Sequence, residues 1–196
     1  MDAEASPSDA ELTDLARGGD VEALGLLVER NQDFVYNAVY HLVGREQDAE
    51  DIAQEVFVRA FTNLRGFEGR ARFSTWLYGI MLNSVRNFWR RRRIRATFSL
   101  EASGGGEDAV PFDPPAEGDG PLAAGMRDEQ VRAVRAAIAG LDEELREIVV
   151  LRDIRGLSYQ ELAEALGLPA GTVKSRLHRA RQALKERLEP LYGQME

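Results

Sequence analysis

Between residues 99 and 125 the chain places Gly104, Gly105, Gly106, Gly118 and Gly120 beside Pro111, Pro114, Pro115 and Pro121, with no lysine or arginine. Such a stretch propagates neither a helix nor a ladder, and Glu101, Glu107, Asp108, Asp113, Glu117 and Asp119 keep it solvated and extended. It therefore divides the 196 residues into two packed parts joined by a linker. On either side apolar residues recur at three- and four-residue spacing, without strand-like alternation or internal repeats. The expectation is an all-α chain of two small helical domains, 1–97 and 127–196, with a flexible Gly/Pro/acidic linker over 98–126. An apolar content of 44% is enough to fill two such cores.

Several function classes drop out on composition. With no cysteine, disulfides, thiol catalysis and cysteine-ligated zinc are excluded, and the isolated His41 and His178 make a poor metal set, so no metal or cofactor is expected. No apolar run approaches the roughly 20 residues that span a bilayer. The start, MDAEASPSDAELTD, is acidic and lacks the regions of a signal peptide, which points to the cytoplasm.

Ser8 and Glu11 fit a capping box for a short first helix ending at Gly18-Gly19, and Asp20 can cap a long amphipathic helix that runs to Gly44. A third helix, from about Gln47 to Leu64, buries Ala49, Ile52, Ala53, Val56, Phe57, Ala60 and Phe61. Its opposite face shows Asp48, Asp51 and Glu55, with Glu50 and Gln54 beside them. Acids in a first turn compensate the helix dipole. Because they extend past that turn to Glu55, a docking face for a cationic partner is the alternative.

The stretch from Phe67 to Arg95 is a cationic surface on a chain of net charge -8. Arg70, Arg72, Arg86, Arg90, Arg91, Arg92, Arg93 and Arg95 alternate with Phe67, Phe73, Trp76, Tyr78, Phe88 and Trp89. Single-stranded nucleic acid requires that pairing, cations for phosphates and flat rings for unstacked bases. Ser74 can cap a helix from about Thr75, with Phe73 and Tyr78 as its hydrophobic staple. Leu77, Ile80, Met81, Val85 and Phe88 then form a core stripe, while Trp76, Gly79, Asn83, Arg86, Asn87 and Arg90 follow another face. A solvated basic helix with Trp76 in the core is the plainer reading of the same residues.

In the C-terminal part, Ser158 with Glu161 forms a second capping box, Leu157 with Leu162 a staple, and Gly167 closes that helix. A short turn leads into a basic helix from about Ala170 whose inner face is Val173, Leu177, Ala180, Leu184 and Leu188. This is helix-turn-helix spacing. Lys174, Ser175, His178 and Arg179 remain outward near the helix start as a set able to reach base edges in a major groove. Thr172, Arg176 and Arg181 suit phosphates, and a structural hairpin with a solvated basic face is the alternative.

Two stretches together resemble one family. DAEDIAQEVFVRAF followed by LRGFEGRARFSTWLYGIMLNSVRNF resembles region 2 of the bacterial extracytoplasmic-function (ECF) sigma factors, the short members of the sigma-70 family, and GLSYQELAEALGLPAGTVKSRLHRARQAL resembles their region 4. The resemblance implies a non-enzymatic specificity subunit that directs core RNA polymerase to two-part promoters and helps open the minus-10 element, under anti-sigma control. It implies that Asp48, Asp51, Gln54 and Glu55 dock on the β′ clamp helices, the C-terminal domain meeting the β flap. It assigns minus-10 DNA, duplex and single-stranded, to Phe67, Arg70, Arg72, Phe73, Trp76, Asn83, Arg86 and Arg90. The minus-35 element falls to Thr172, Lys174, Ser175, Arg176, His178, Arg179 and Arg181. Three residues depart from the pattern: Gly79 stands where the family usually has arginine, Asn87 where it often has aspartate, and Gly140 where a Leu-Pro pair is usual. Of these, Gly79 alone removes a DNA contact.

Two rival classes are weaker. An autonomous helix-turn-helix repressor leaves the aromatic-cationic stretch idle and has no heptad seam for dimerisation. A hydrolase using Asp48, Asp51 and Glu55 needs paired carboxylates in a pocket, not along an exposed helix face. Whether the two domains touch each other in the free chain is left open by the sequence.

Overall fold

Helix α1 (Asp9–Arg17) begins at the expected capping box, with Ser8 Oγ accepting from the Glu11 amide and the Glu11 carboxylate accepting from the Ser8 amide. Asp20 caps α2 (Val21–Val43) through the amides of Glu22 and Ala23, and Gly44, at φ 80°, ends it in the left-handed region that glycine enters without strain. α3 (Glu46–Asn63) follows, then one 3-10 turn (Leu64–Gly66) and α4 (Phe73–Ala102). This computed structural model describes the backbone of residues 6–102 and 121–192, and side chains within 6–97 and 130–190. The rest of the expected linker, residues 103–120, lies outside the described residues. Helix covers both its margins, since α4 runs to Ala102 and α5 (Pro121–Ala139) starts at a proline, the residue whose missing amide costs least in a first turn.

α6 (Glu143–Val149) passes into a π turn (Val150–Ile154), and α7 (Tyr159–Leu166) and α8 (Ala170–Tyr192) complete the chain. Ser158 and Glu161 form the second capping box, and Gly167, at φ 66°, turns α7 into α8. Among the described residues there is no strand, and the chain is all-α as expected.

One expectation is corrected. The Trp76 amide already donates to the Arg72 carbonyl, so α4 starts at Phe73 and Ser74 lies inside the first turn instead of capping it. Phe73 packs edge-on against Phe67 and tilted against Trp76, and that burial draws the helix start back past the local cap signal.

α1 to α4 pack around Leu27, Val35, Ala38, Leu77, Met81 and Val85; α5 to α8 pack around Ile148, Leu151, Leu162, Val173 and Leu177. Each of these side chains larger than alanine contributes about 1.5–3 kcal/mol on full burial. The two groups are not separate bodies, because α4 packs on α7 and α2 on both α5 and the π turn. A single apolar cluster runs through both.

Candidate nucleic-acid and polymerase interfaces

The acidic face of α3 is outward, as its period demands. Asp51 and Gln54 are exposed, while Asp48 and Glu55 are half-buried and engaged, Asp48 with Arg45 at 3.8 Å and Glu55 with Arg59 and Arg91. Val58, 59% exposed, is an apolar residue on the same helix with no cover. Phe57 and Phe61 are half-buried rather than buried, and meet in a tilted contact with centroids 6.2 Å apart.

The aromatic members of the cationic stretch divide. Phe67, Phe73 and Trp89 are buried and Trp76 half-buried, so most of these rings are core. Phe67 and Trp76, with centroids 5.0 Å apart, floor a cleft of about 290 Å3 whose walls include Gly66, Arg70, Ala71 and Thr75. Thr75 is buried with its hydroxyl unpaired. The cleft is at the lower end of the size range for ligand pockets, about 300–1,000 Å3. Gly69, at φ 72°, makes the loop turn beside it. Arg70 pairs with Glu68 at 2.7 Å and stays exposed.

Farther along α4, Asn83 and Arg90 are exposed, and Arg90 donates to Asn87 Oδ1 at 3.0 Å. Arg86 is not free. Its Nε and Nη2 donate to the two carboxylate oxygens of Glu147, at 2.7 and 2.6 Å. Hydrogen bonding to that carboxylate raises the Arg86 pKa; burial pushes the Glu147 carboxyl up, opposed by Arg86.

On α8 the structure brings Lys174, Ser175, His178 and Arg179 together on one exposed face near the helix start. Val173, Leu177 and Ala180 are buried behind them. Thr172 is half-buried at the start of that face. Arg176, 19% exposed, lies beside that face and pairs with the exposed Glu144 at 3.0 Å. Arg181 is exposed but clamped by both oxygens of Asp153.

Sequence reasoning missed Glu147, although a signal existed. Glu147 precedes Leu151 by four residues and adjoins Ile148, which puts an acid on an apolar stripe, and such an acid needs a partner from elsewhere. Arg146 was missed too. It donates to the carbonyls of Leu42, Ala139 and Leu141.

Among the described residues no group of acids and histidines is arranged to hold a metal ion, and no helix is long and apolar enough to cross a membrane. What the surface offers is two basic faces, one beside a base-sized cleft and one on a helix-turn-helix, and an acidic helix face.

Comparison with known proteins agrees with that division. Sigma-70 region 2 matches residues 27–94 and sigma-70 region 4 matches residues 131–184. The RNA polymerase sigma-H factor of Pseudomonas aeruginosa is 37% identical over 190 residues, 93% of this chain and 95% of that protein. The ECF RNA polymerase sigma factor SigW of Bacillus subtilis is 35% identical over 175 residues, 88% of this chain and 92% of its own. Among solved structures, CnrH in complex with the cytosolic domain of CnrY is similar with a TM-score of 0.68 at 28% identity, over 93% of this chain and 97% of that one. The sigma factor RpoE of Bartonella quintana, in complex with the anti-sigma factor NepR, gives a TM-score of 0.65 at 25% identity, over 84% and 96%. Fold and site thus define a two-domain protein of the sigma-70 type. The chain belongs to the ECF sigma factors, which act in transcription initiation.

Proposed function

We propose that this chain binds core RNA polymerase through Asp48, Asp51, Gln54 and Glu55 of α3, reads a minus-35 element with α8 and opens a minus-10 element with α4 and its preceding loop. The observation that carries this reading is the cleft lined by Phe67 and Trp76, which sits at the start of α4 with Arg70 in its wall. A base extruded from the duplex loses stacking worth a few kcal/mol and regains it on the aromatic side chains of the cleft. Arg70, Arg72, Arg86 and Arg90 are the cations for the strand on either side of it. On α8, Lys174 and Arg179 suit guanine edges, Ser175 and His178 suit a base edge or phosphate, and Thr172 and Arg181 suit phosphates. Arg176 suits a phosphate too, which would take the place of the Glu144 carboxylate it now pairs with.

The phosphodiester chemistry stays with the polymerase, and the chain acts in the cytoplasm as a binding subunit. Control by an anti-sigma protein is supported by the two similar structures, both complexes with a second protein, one of which is an anti-sigma factor. Adding the purified chain to core polymerase with fragmented genomic DNA, then sequencing RNA 5′ ends, tests the reading. A recurrent pair of upstream elements is expected. RNA whose start sites match those of core polymerase alone would overturn it.

A further inference from the structure

Lysine is nearly absent from this chain. Lys174 and Lys185, both on α8, are the two lysines among its 25 lysines and arginines. The difference is chemical: a guanidinium stays charged and does not take acyl groups, whereas a lysine ammonium that gives up a proton becomes a nucleophilic amine. An acyl donor therefore spares Arg70, Arg72, Arg86 and Arg90 of the minus-10 set, and Arg179 of the minus-35 face. Lys174 is the one cation in either set that it can neutralise.

The structure leaves Lys174 open to such a donor. Val173 beside it is buried, which pins that turn of α8 and turns the Lys174 side chain outward. Arg176 and Arg181 are held by Glu144 and Asp153, but among the described residues Lys174 has no carboxylate partner. His178 lies four residues on along the same exposed face, the spacing at which helical side chains meet. Before Glu186, α8 carries no acid to repel an anionic donor, and Arg179 adds a positive charge. Lys185 differs, being followed by Glu186 and, one turn on, by Glu189.

We propose that Lys174 is an acylation site, and that transfer of an acyl group from an acyl phosphate to its Nζ switches off minus-35 recognition. The inference rests on the reading of α8 as the helix that meets that element. The ammonium passes one proton to His178, and the amine attacks the carbonyl carbon. A C–N bond forms, the C–O bond to the phosphoryl group breaks, and phosphate leaves with the electron pair and the second amine proton. The resulting amide is uncharged and offers one N–H where the ammonium offered three, so its grip on guanine O6 and N7 is lost. The arginines of α4 and the acidic face of α3 are untouched. One modification thus removes promoter discrimination and leaves strand opening and polymerase docking in place.

The test treats the full chain with acetyl phosphate, quantifies each modified lysine by mass spectrometry, and assembles the chain with core polymerase. Binding is read on a promoter found by RNA 5′-end sequencing. Lys174 should be acetylated severalfold faster than Lys185, and His178→Gln should bring the two rates together. Acetylated holoenzyme should bind the promoter about tenfold more weakly, with core polymerase retained in full. Lys185→Arg should respond as wild type does, whereas the binding of Lys174→Arg, whatever its starting level, should not change on treatment. Equal acetylation of the two lysines would overturn the site. Selective acetylation of Lys174 with unchanged promoter binding, or a loss that persists in Lys174→Arg, would overturn the switch. If unmodified holoenzyme ignores substitutions in minus-35 while Lys174 is acetylated selectively, the reading of α8 falls and the modification site stands.

Discussion

The guanidinium of Arg146 lies over the indole of Trp89, 5.3 Å from the ring centroid, across the boundary between the two domains. Arg146 also donates to the Leu42 carbonyl at 3.2 Å and ties the turn between α5 and α6 through Ala139 and Leu141. One planar fork therefore serves three carbonyls and a ring. Arg146→Ala should lower unfolding free energy by about 2 to 4 kcal/mol in urea titrations. Arg146→Lys should recover less than half of that, because an ammonium offers no fork. Full rescue by lysine would show that charge, not geometry, holds the joint.

Asp51 is exposed at the centre of the acidic α3 face, whereas Glu55 is tied to Arg59 and Arg91. Asp51→Lys is the cleaner probe. It should cut co-purification with core polymerase severalfold while moving stability by less than about 0.5 kcal/mol. Wild-type recovery of core would remove this face from the docking site.

Base readout and phosphate contact separate on α8. Replacing Lys174 or Arg179 by alanine should cost about 1 to 3 kcal/mol at a single minus-35 position in titrations on single-base variants. Arg181→Ala, which removes a cation oriented by Asp153, should weaken all sequences alike and lower the salt slope by about 1. Uniform loss for Lys174 and Arg179 would take them out of the reading set.

Asn83 is exposed on α4 with no core role to confuse the measurement. Asn83→Ala should impair transcription from duplex promoters, and the defect should shrink on a template already mismatched through minus-10, where unpairing no longer has to be driven. Equal defects on both templates would mean that Asn83 holds duplex or polymerase instead.

His41 is pushed down to about 4 by its burial, with Arg135 and Arg155 adding to the effect. Between pH 6.5 and about 4 the unfolded chain takes up a proton at His41 that the folded chain refuses, so stability falls as pH falls through that window. The loss is about 2 kcal/mol after allowance for partial exposure. Urea midpoints between pH 7 and pH 5 should drop less for His41→Gln than for wild type. Parallel curves would place the histidine in water.

What the sequence alone determined here is everything that acts within about four residues. The capping boxes at Ser8 and Ser158, the Asp20 cap, and the glycine stops at 44 and 167 all appear in the structure where the chain announces them. So do the inward faces of α3, α4 and α8, although Phe57 and Phe61 at the edge of the α3 stripe are only half-buried, since periodicity settles which face turns inward once a core exists. The outward set on α8 was legible for the same reason. Tertiary structure decided the rest. The start of α4 moved back to Phe73 because Phe67, distant from it by a loop, offered burial that outweighed a cap at Ser74. Arg86 looked like a free cation, yet Glu147, 61 residues away, takes it. Arg176 is likewise taken up by Glu144 of α6. Ion pairs of that separation leave no spacing to read: either charge alone is a plausible surface residue, and only the placing of α6 beside α4 and α8 makes them partners.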